Sequence, residues 1–280
     1  MENVINLGIP HVGEQIFQNL EYEDLIQCQQ VSQTWKILSK KAWLDKTWKG
    51  KMFEACRAGK TEIVKLLLQN FNSQENGLTR TQDRLGHTPF LEACALGHKE
   101  VVKLLLDHSD GRIDLNARND YGLTGFIVAC NNGQTEVVKM LLKHPGHKID
   151  FNARCTNGET GFLLAVSGRH LDGLGVVKTI LDHSNGKVDL NARNADGNTG
   201  FGRACERGHK DVVKLILDHP NRSIDLNAET VEGRTPFETA CIMEHLDIVK
   251  LMLHCSKNRD INTEVPELVF QNLMRYDLSY

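Results

Sequence analysis

Apolar positions return along most of this chain in a fixed order. Phe90, Ala93 and Cys94 are followed by Gly97, and then by Val101, Val102 and Leu104 to Leu106. The order recurs after Thr124, Thr160, Thr199 and Thr235, so that the aligned threonines from Thr88 onward are spaced 36, 36, 39 and 36 residues apart. A weaker copy, MFEACRAGKTEIVKLLLQNF, begins at Met52. Each unit predicts helix, tight turn, helix, long loop. The threonine hydroxyl can accept from an orphan N–H at the helix start, and Pro89 or Pro236 suits the first helical position, where no N–H is needed. Gly97, Gly133 and Gly208 stop the first helix by adopting the left-handed cap. The second helix is too apolar to stand exposed. Asp114-Leu115-Asn116-Ala117 and its copies are expected to be extended stretches bounded by turn residues. One helix pair cannot cover its own apolar faces, whereas stacked neighbours can. The pattern therefore predicts an all-α solenoid of about six helix-turn-helix units, with contacts mainly between adjacent units.

The first fifty residues follow another pattern. Val12, Ile16, Phe17 and Leu20 share one helical stripe, Leu25, Ile26 and Cys28 follow a new start at Glu23-Asp24, and Val31, Trp35 and Leu38 form a third. Three short helices within about 40 residues bury little surface. All three tryptophans (Trp35, Trp43, Trp48) sit in this segment. Such aromatic, apolar surface fits either an obligate partner or docking on the first repeat as an N-terminal cap. After Cys255, the run Pro266 to Phe270 followed by Leu273, Met274 and Tyr276 has helical spacing. It reads as a closing cap over the last unit, with a short partner-binding helix as the alternative.

Composition narrows the function classes. The 280 residues carry 33 basic and 36 acidic side chains, a net charge of −3. Nucleic acid or an anionic membrane as main partner demands a basic excess. No signal peptide or uncharged stretch long enough for a membrane span is visible, so a soluble intracellular protein, cytoplasmic or nuclear, is expected.

The residues that suggest chemistry recur with the unit. Cys56, Cys94, Cys130, Cys205 and Cys241 each follow an alanine at the same place and read as small buried packing residues. Packed helices lie about 8–10 Å apart, too far for a disulfide ladder, and no C-x₂-C pair suggests zinc. His108, His144, His183, His219 and His254 fall near the ends of second helices, where they can complement the helix dipole. His98 and His209 follow the glycine turn. Lys65, Lys103, Lys139, Lys178, Lys214 and Lys250 form a ladder that keeps the convex face soluble. Gly173-Leu174-Gly175 lacks the lysine and hydroxyl of a phosphate loop and is read as a turn insertion. No catalytic residue, metal or cofactor is expected.

The repeats resemble ankyrin repeats: T-P-F-x-x-A-C and G-H-K-E-V-V-K-L-L-L stand where that family has its signature. Three departures accompany the match. A loop such as Ser109 to Ile113 lengthens the unit to 36 residues. The unit starting at Thr160 inserts about three residues near Gly173. Gly125, Gly161 and Gly200 replace the helix-start proline, which is expected to loosen those first turns. The resemblance implies protein binding on the concave side, through inter-unit tips and the exposed face of the first helix. Carried over, the tips are Arg84, Leu85, His87, Asp120, Tyr121, Leu123, Asn157, Glu159, Asp196, Asn198, Glu232 and Arg234. The helix face adds Glu92, Val128, Leu164 and Arg203.

The N-terminal segment resembles an F-box through Ile9-Pro10, Ile16-Phe17, Leu20, Asp24-Leu25, Cys28, Val31-Ser32 and Trp35. His11-Val12-Gly13 departs from the family, which usually has an acid and an aliphatic pair there. F-boxes dock on the Skp adaptor of cullin-based SCF ubiquitin ligases, so Ile9, Pro10, Ile16, Leu20, Leu25, Val31 and Trp35 would form or support that surface. The implied layout is an F-box at 1–50, ankyrin repeats at 51–256 and a capping helix or tail at 257–280. The implied function is a non-catalytic substrate-recognition subunit, with the Skp adaptor, the cullin and an unknown protein substrate as partners. The alternative is an ankyrin scaffold whose N-terminal helices act as a cap or as a tether independent of any ligase.

Overall fold

The computed structural model describes residues 48–70, 82–107, 113–145, 149–168, 173–220, 223–257 and 259–264. The expected F-box surface (Ile9 to Trp35) and the helical stretch after Pro266 lie outside them. The described residues form twelve helices in six pairs. The pairs are α1 (Trp48–Arg57) with α2 (Thr61–Asn70), α3 (Pro89–Ala95) with α4 (Lys99–Asp107), and α5 (Gly125–Asn131) with α6 (Thr135–Lys143). They continue as α7 (Gly161–Ser167) with α8 (Gly173–His183), α9 (Gly200–Glu206) with α10 (Lys210–Asp218), and α11 (Pro236–Ile242) with α12 (Leu246–Ser256). First helices pack on first helices of neighbouring units and second helices on second helices, giving two layers.

Local chemistry sets each boundary. Thr88, Thr124, Thr160, Thr199 and Thr235 are all N-caps in extended conformation, accepting from Leu91, Ile127, Leu163, Gly202 and Glu238 N–H groups. Glu238 returns a bond to the Thr235 N–H and closes a capping box. Gly97, Gly133 and Gly208 leave their helices with φ of 75°, 72° and 72°. In the last unit Glu244 takes that place with φ 56°.

The core is one continuous column. Phe90, Phe126, Phe162, Phe201 and Phe237 are buried at the same phase of successive units, with Val102, Val138, Val177, Val213 and Val249 behind them. Burying each phenylalanine contributes about 1.5–3 kcal/mol. The column also explains Gly125, Gly161 and Gly200, which do not loosen their helices: each helix begins at its glycine under a threonine cap. A Cβ at these positions would stand 2.6, 2.8 and 2.4 Å from Cε1 of Phe90, Phe126 and Phe162. The glycine makes room for the ring of the preceding unit.

Two further expectations are corrected. Gly173-Leu174-Gly175 is not a turn but the first turn of α8. The added residues lie upstream, between the end of α7 and Gly173, in a stretch that includes residues outside the described set. The Asp-Leu-Asn-Ala segments are tight turns rather than extended stretches. Asp114 Oδ1 accepts from the Asn116 N–H, and the copies at Asp150, Asp189 and Asp225 do the same for Asn152, Asn191 and Asn227. Each asparagine then reaches the next unit. Asn152 accepts from the Asp189 N–H at 2.7 Å and donates to Lys187 O at 3.1 Å. Asn191 serves Asp225 and Ser223 in the same way, and Asn227 serves Asn262 and Asp260.

The recurring histidines are structural as well. His98 Nε2 donates to Arg57 O at 2.9 Å and His245 Nε2 to Glu206 O at 3.0 Å, tying each turn to the preceding unit. His144 and His219 cap α6 and α10, their Nε2 atoms 3.8 and 3.2 Å from Asp107 and Asp182 Oδ1. The ladder cysteines are free and buried. Burial pushes the thiols of Cys56 and Cys241 up to about 12, and raises those of Cys94, Cys130 and Cys205 well above the ordinary thiol value.

Candidate protein-binding face

Between successive helix pairs the chain turns back in a short hairpin tip. The tips are closed by backbone bonds from Asp83, Asn119, Cys155, Asn194 and Thr230 N–H groups to the carbonyls of His87, Leu123, Glu159, Asn198 and Arg234. A glycine with φ of 70° to 77° occupies the bend of each, where a side chain is disfavoured (Gly86, Gly122, Gly158, Gly197, Gly233). Asp83, Asn119 and Asn194 brace their tips by accepting two backbone N–H groups each through Oδ1. Neighbouring tips are linked as well: Asp120 N–H donates to Leu85 O, Thr156 N–H to Tyr121 O and Val231 N–H to Asp196 O, at 3.0–3.1 Å. The row is a hydrogen-bonded array that presents its side chains in register.

The predicted surface residues divide into three groups. Arg84, Leu85, Asp120, Tyr121, Asn157, Asp196, Glu232 and Arg234 are exposed at the tips. His87, Glu92, Leu123 and Leu164 are half-buried. Val128, Glu159 and Asn198 are corrections, because they are buried at 5%, 9% and 7% exposure. Val128 packs into the core, while the other two are held in a polar network centred on Arg203.

Arg203 on α9 has a side chain only 14% exposed. Its Nη2 lies 3.3 Å from Glu159 Oε1 and its Nη1 3.0 Å from Glu206 Oε2. Asn194 Nδ2 donates to Glu159 Oε1 and Asn198 Nδ2 to Glu206 Oε2, both at 3.2 Å. Burial opposes the guanidinium charge, but the bonds and charges of Glu206 and Glu159 outweigh it and raise the Arg203 pKa above its ordinary value. Arg203 therefore ties two units together, and reversing its charge would disturb the stack as well as any docking.

Asp83, His87 and Glu92 place one ligand atom each within 4.8 Å of one another. Asp83 Oδ1 is already bonded to two N–H groups, and Glu92 stands 3.8 Å from His87 Nδ1. Loop bracing accounts for this group.

Sequence reasoning missed three exposed apolar residues near the last unit: Val231 (75% exposed), Ile242 and Met243. Val231 occupies the tip position held elsewhere by Arg84, Asp120, Thr156 and Ala195, so a large apolar side chain where these four positions carry none was the available signal. Val231 and Met243 border a cleft of about 280 Å³ that also includes Asp196, Asn198, Glu206 and Glu232. Among the described residues no helix is long and apolar enough to cross a membrane.

Comparison with known families agrees with this architecture. The model described as "Ankyrin repeats (3 copies)" matches residues 52–155, 111–194 and 162–265. The chain belongs to the ankyrin-repeat family. A second model, the F-box domain, matches residues 10–47. F-box domains generally bind Skp adaptors, and ankyrin repeats bind protein partners. No curated protein matches the sequence. The solved structure of EF0377, an ankyrin repeat protein, is similar at 26% identity and a TM-score of 0.61, covering 73% of this chain and 96% of that one. An ankyrin repeat domain from Acinetobacter baumannii is similar at 20% identity and a TM-score of 0.61, covering 76% and 99%. That second likeness concerns the fold alone.

Proposed function

We propose that this chain is the substrate-recognition subunit of an SCF-type ubiquitin ligase, with the F-box tying the ankyrin stack to the Skp adaptor and through it to the cullin. The observation that carries the reading is the coupling of an F-box match at 10–47 to ankyrin-repeat matches spanning 52–265. The F-box supplies attachment, through Ile9, Pro10, Ile16, Leu20, Leu25, Val31 and Trp35. The row of tips and the adjoining first-helix face supply selection. Tethering raises the effective concentration of a substrate lysine near the charged conjugating enzyme, so that transfer becomes nearly intramolecular. The chain contributes no catalytic group in this scheme. The five buried ladder thiols, with pKa values pushed far above neutrality, are protonated and inaccessible, which suits packing rather than nucleophilic attack. They also suit a reducing compartment, the cytoplasm or nucleus.

The test is removal of residues 1–47, which ends before α1 begins at Trp48. The remaining stack should keep a cooperative helical unfolding transition and lose adaptor binding completely. Collapse of the helical signal would make the N-terminal segment a cap for the first unit, which is the scaffold alternative.

A further inference from the structure

The cleft between the last two tips combines acidic and exposed apolar side chains. Its rim carries the carboxylates of Asp196 and Glu232, Glu206 lies deeper, and the apolar side chains of Val231 and Met243 border it. Arg234 is the cation of the lining, and it is paired with Glu232 at 3.0 Å. Arg203 behind the cleft is shared between Glu206 and Glu159. Four carboxylates thus face two guanidiniums, leaving a local negative excess. A second observation is independent of the acids. Asn198, 7% exposed, lines the same cleft and donates to Glu206 through Nδ2, while its Oδ1 receives no hydrogen bond. An acceptor buried without a donor costs about 1–3 kcal/mol, and Asn198 is a lining residue of the cleft.

We propose that this cleft is the subsite for a basic side chain, arginine or lysine, of the protein that the ankyrin stack binds. Such a side chain combines an apolar stem with a charged head rich in donors and no acceptor. The stem fits between Val231 and Met243. The head meets Asp196 and Glu232 at the rim and brings donors toward the Asn198 side of the cleft. An acidic or wholly apolar group would meet repulsion or leave the carboxylates desolvated. The proposal rests on the reading of the stack as the substrate-binding part and names the chemistry selected at one point of it.

The experiment uses the full chain with labelled methyl groups and N-acetyl-arginine methylamide as probe, with the uncharged isostere N-acetyl-citrulline methylamide beside it. The Val231 and Met243 methyl signals should shift saturably with the arginine compound and not with citrulline. The Asp196→Asn/Glu232→Gln pair alters exposed carboxylates outside the Arg203 network and should weaken binding about fivefold, in line with two partly exposed ion pairs. Val231→Ser, at a 75% exposed position, should weaken it separately through the stem. Absence of saturable shifts in the folded wild type, equal shifts with citrulline, or unchanged affinity in the double variant would each overturn the proposal. Adaptor binding is measured on the same preparation. Its loss would remove the ligase reading and leave the cleft result standing.

Discussion

Replacing Gly200 by alanine should weaken the stack, although the same change in an open helix is favourable by about 0.5–1 kcal/mol. The new Cβ would lie 2.4 Å from Phe162 Cε1 and 2.9 Å from Cδ1, whereas carbon atoms in good contact are about 3.5–4.0 Å apart. The ring would have to retreat by about 1 Å, and it is only 1% exposed within the phenylalanine column. Overpacking of this kind costs about 1–3 kcal/mol, more than the helix gain, so the net loss should be about 1–2 kcal/mol. Urea unfolding followed by circular dichroism reads it as a lower midpoint with an unchanged slope. Combining Gly200→Ala with Phe162→Leu should recover part of the alanine penalty, because the two side chains compete for one space. A Gly200→Ala protein as stable as wild type, or more so, would refute the close-approach argument and restore the view that glycine merely loosens the helix start.

The left-handed residue at the last helix-helix turn predicts the opposite sign: Glu244→Gly at φ 56° should raise the urea midpoint by the equivalent of about 0.5–1 kcal/mol, since a residue with a Cβ pays about 1–2 kcal/mol there. Asn191→Ala removes the bonds to Ser223 O and the Asp225 N–H at 2.7 and 2.8 Å and should cost about 1–2 kcal/mol in thermal or urea unfolding. Native protein at pH 8 should not react with a thiol reagent at Cys56, Cys94, Cys130, Cys205 or Cys241, while the less buried Cys155 and Cys255 react; mass spectrometry of labelled peptides distinguishes the two groups. The same thiols set an alkaline limit. Burial pushes the folded Cys56 and Cys241 thiols up to about 12 from an ordinary value of 9.0, so above pH 9 the unfolded chain releases protons that the folded chain retains. Their contribution is fully present below pH 9 and is lost as pH rises toward 12, which melting temperatures across that range would show.

What was legible in the sequence was what one unit determines by itself. Thr88 and its copies cap helices through a hydroxyl three residues from its partner, and Gly97, Gly133 and Gly208 act within their own turns, so local pattern suffices. The misreadings concern residues whose reason lies one unit away. Gly125, Gly161 and Gly200 answer to a phenylalanine 35 to 38 residues earlier, and Asn152, Asn191 and Asn227 answer to backbone groups in the following turn. The asparagines did leave a signal, since a polar turn residue repeated at one phase of successive units implies a partner at that same phase. Glu159 and Asn198 looked like tip residues because they occupy tip positions; the structure shows Glu159 bonded to Arg203 of the next unit and Asn198 bonded to Glu206 at the end of the following helix. The unusual cleft was hidden in the same way: Val231 and Met243 come from the last unit and Asp196, Asn198 and Glu206 from the unit before it, so the cleft exists only where two successive units pack.

Binding of the purified full chain to a purified Skp adaptor tests the central claim most directly, with Pro10→Ala/Leu20→Ala measured beside wild type. The account predicts a stable complex for wild type and its loss in the double variant, with the ankyrin helices unfolding at the same urea midpoint in both. A well-folded wild type that does not bind the adaptor, or a double variant that binds equally well, would contradict it and leave an ankyrin scaffold without a ligase.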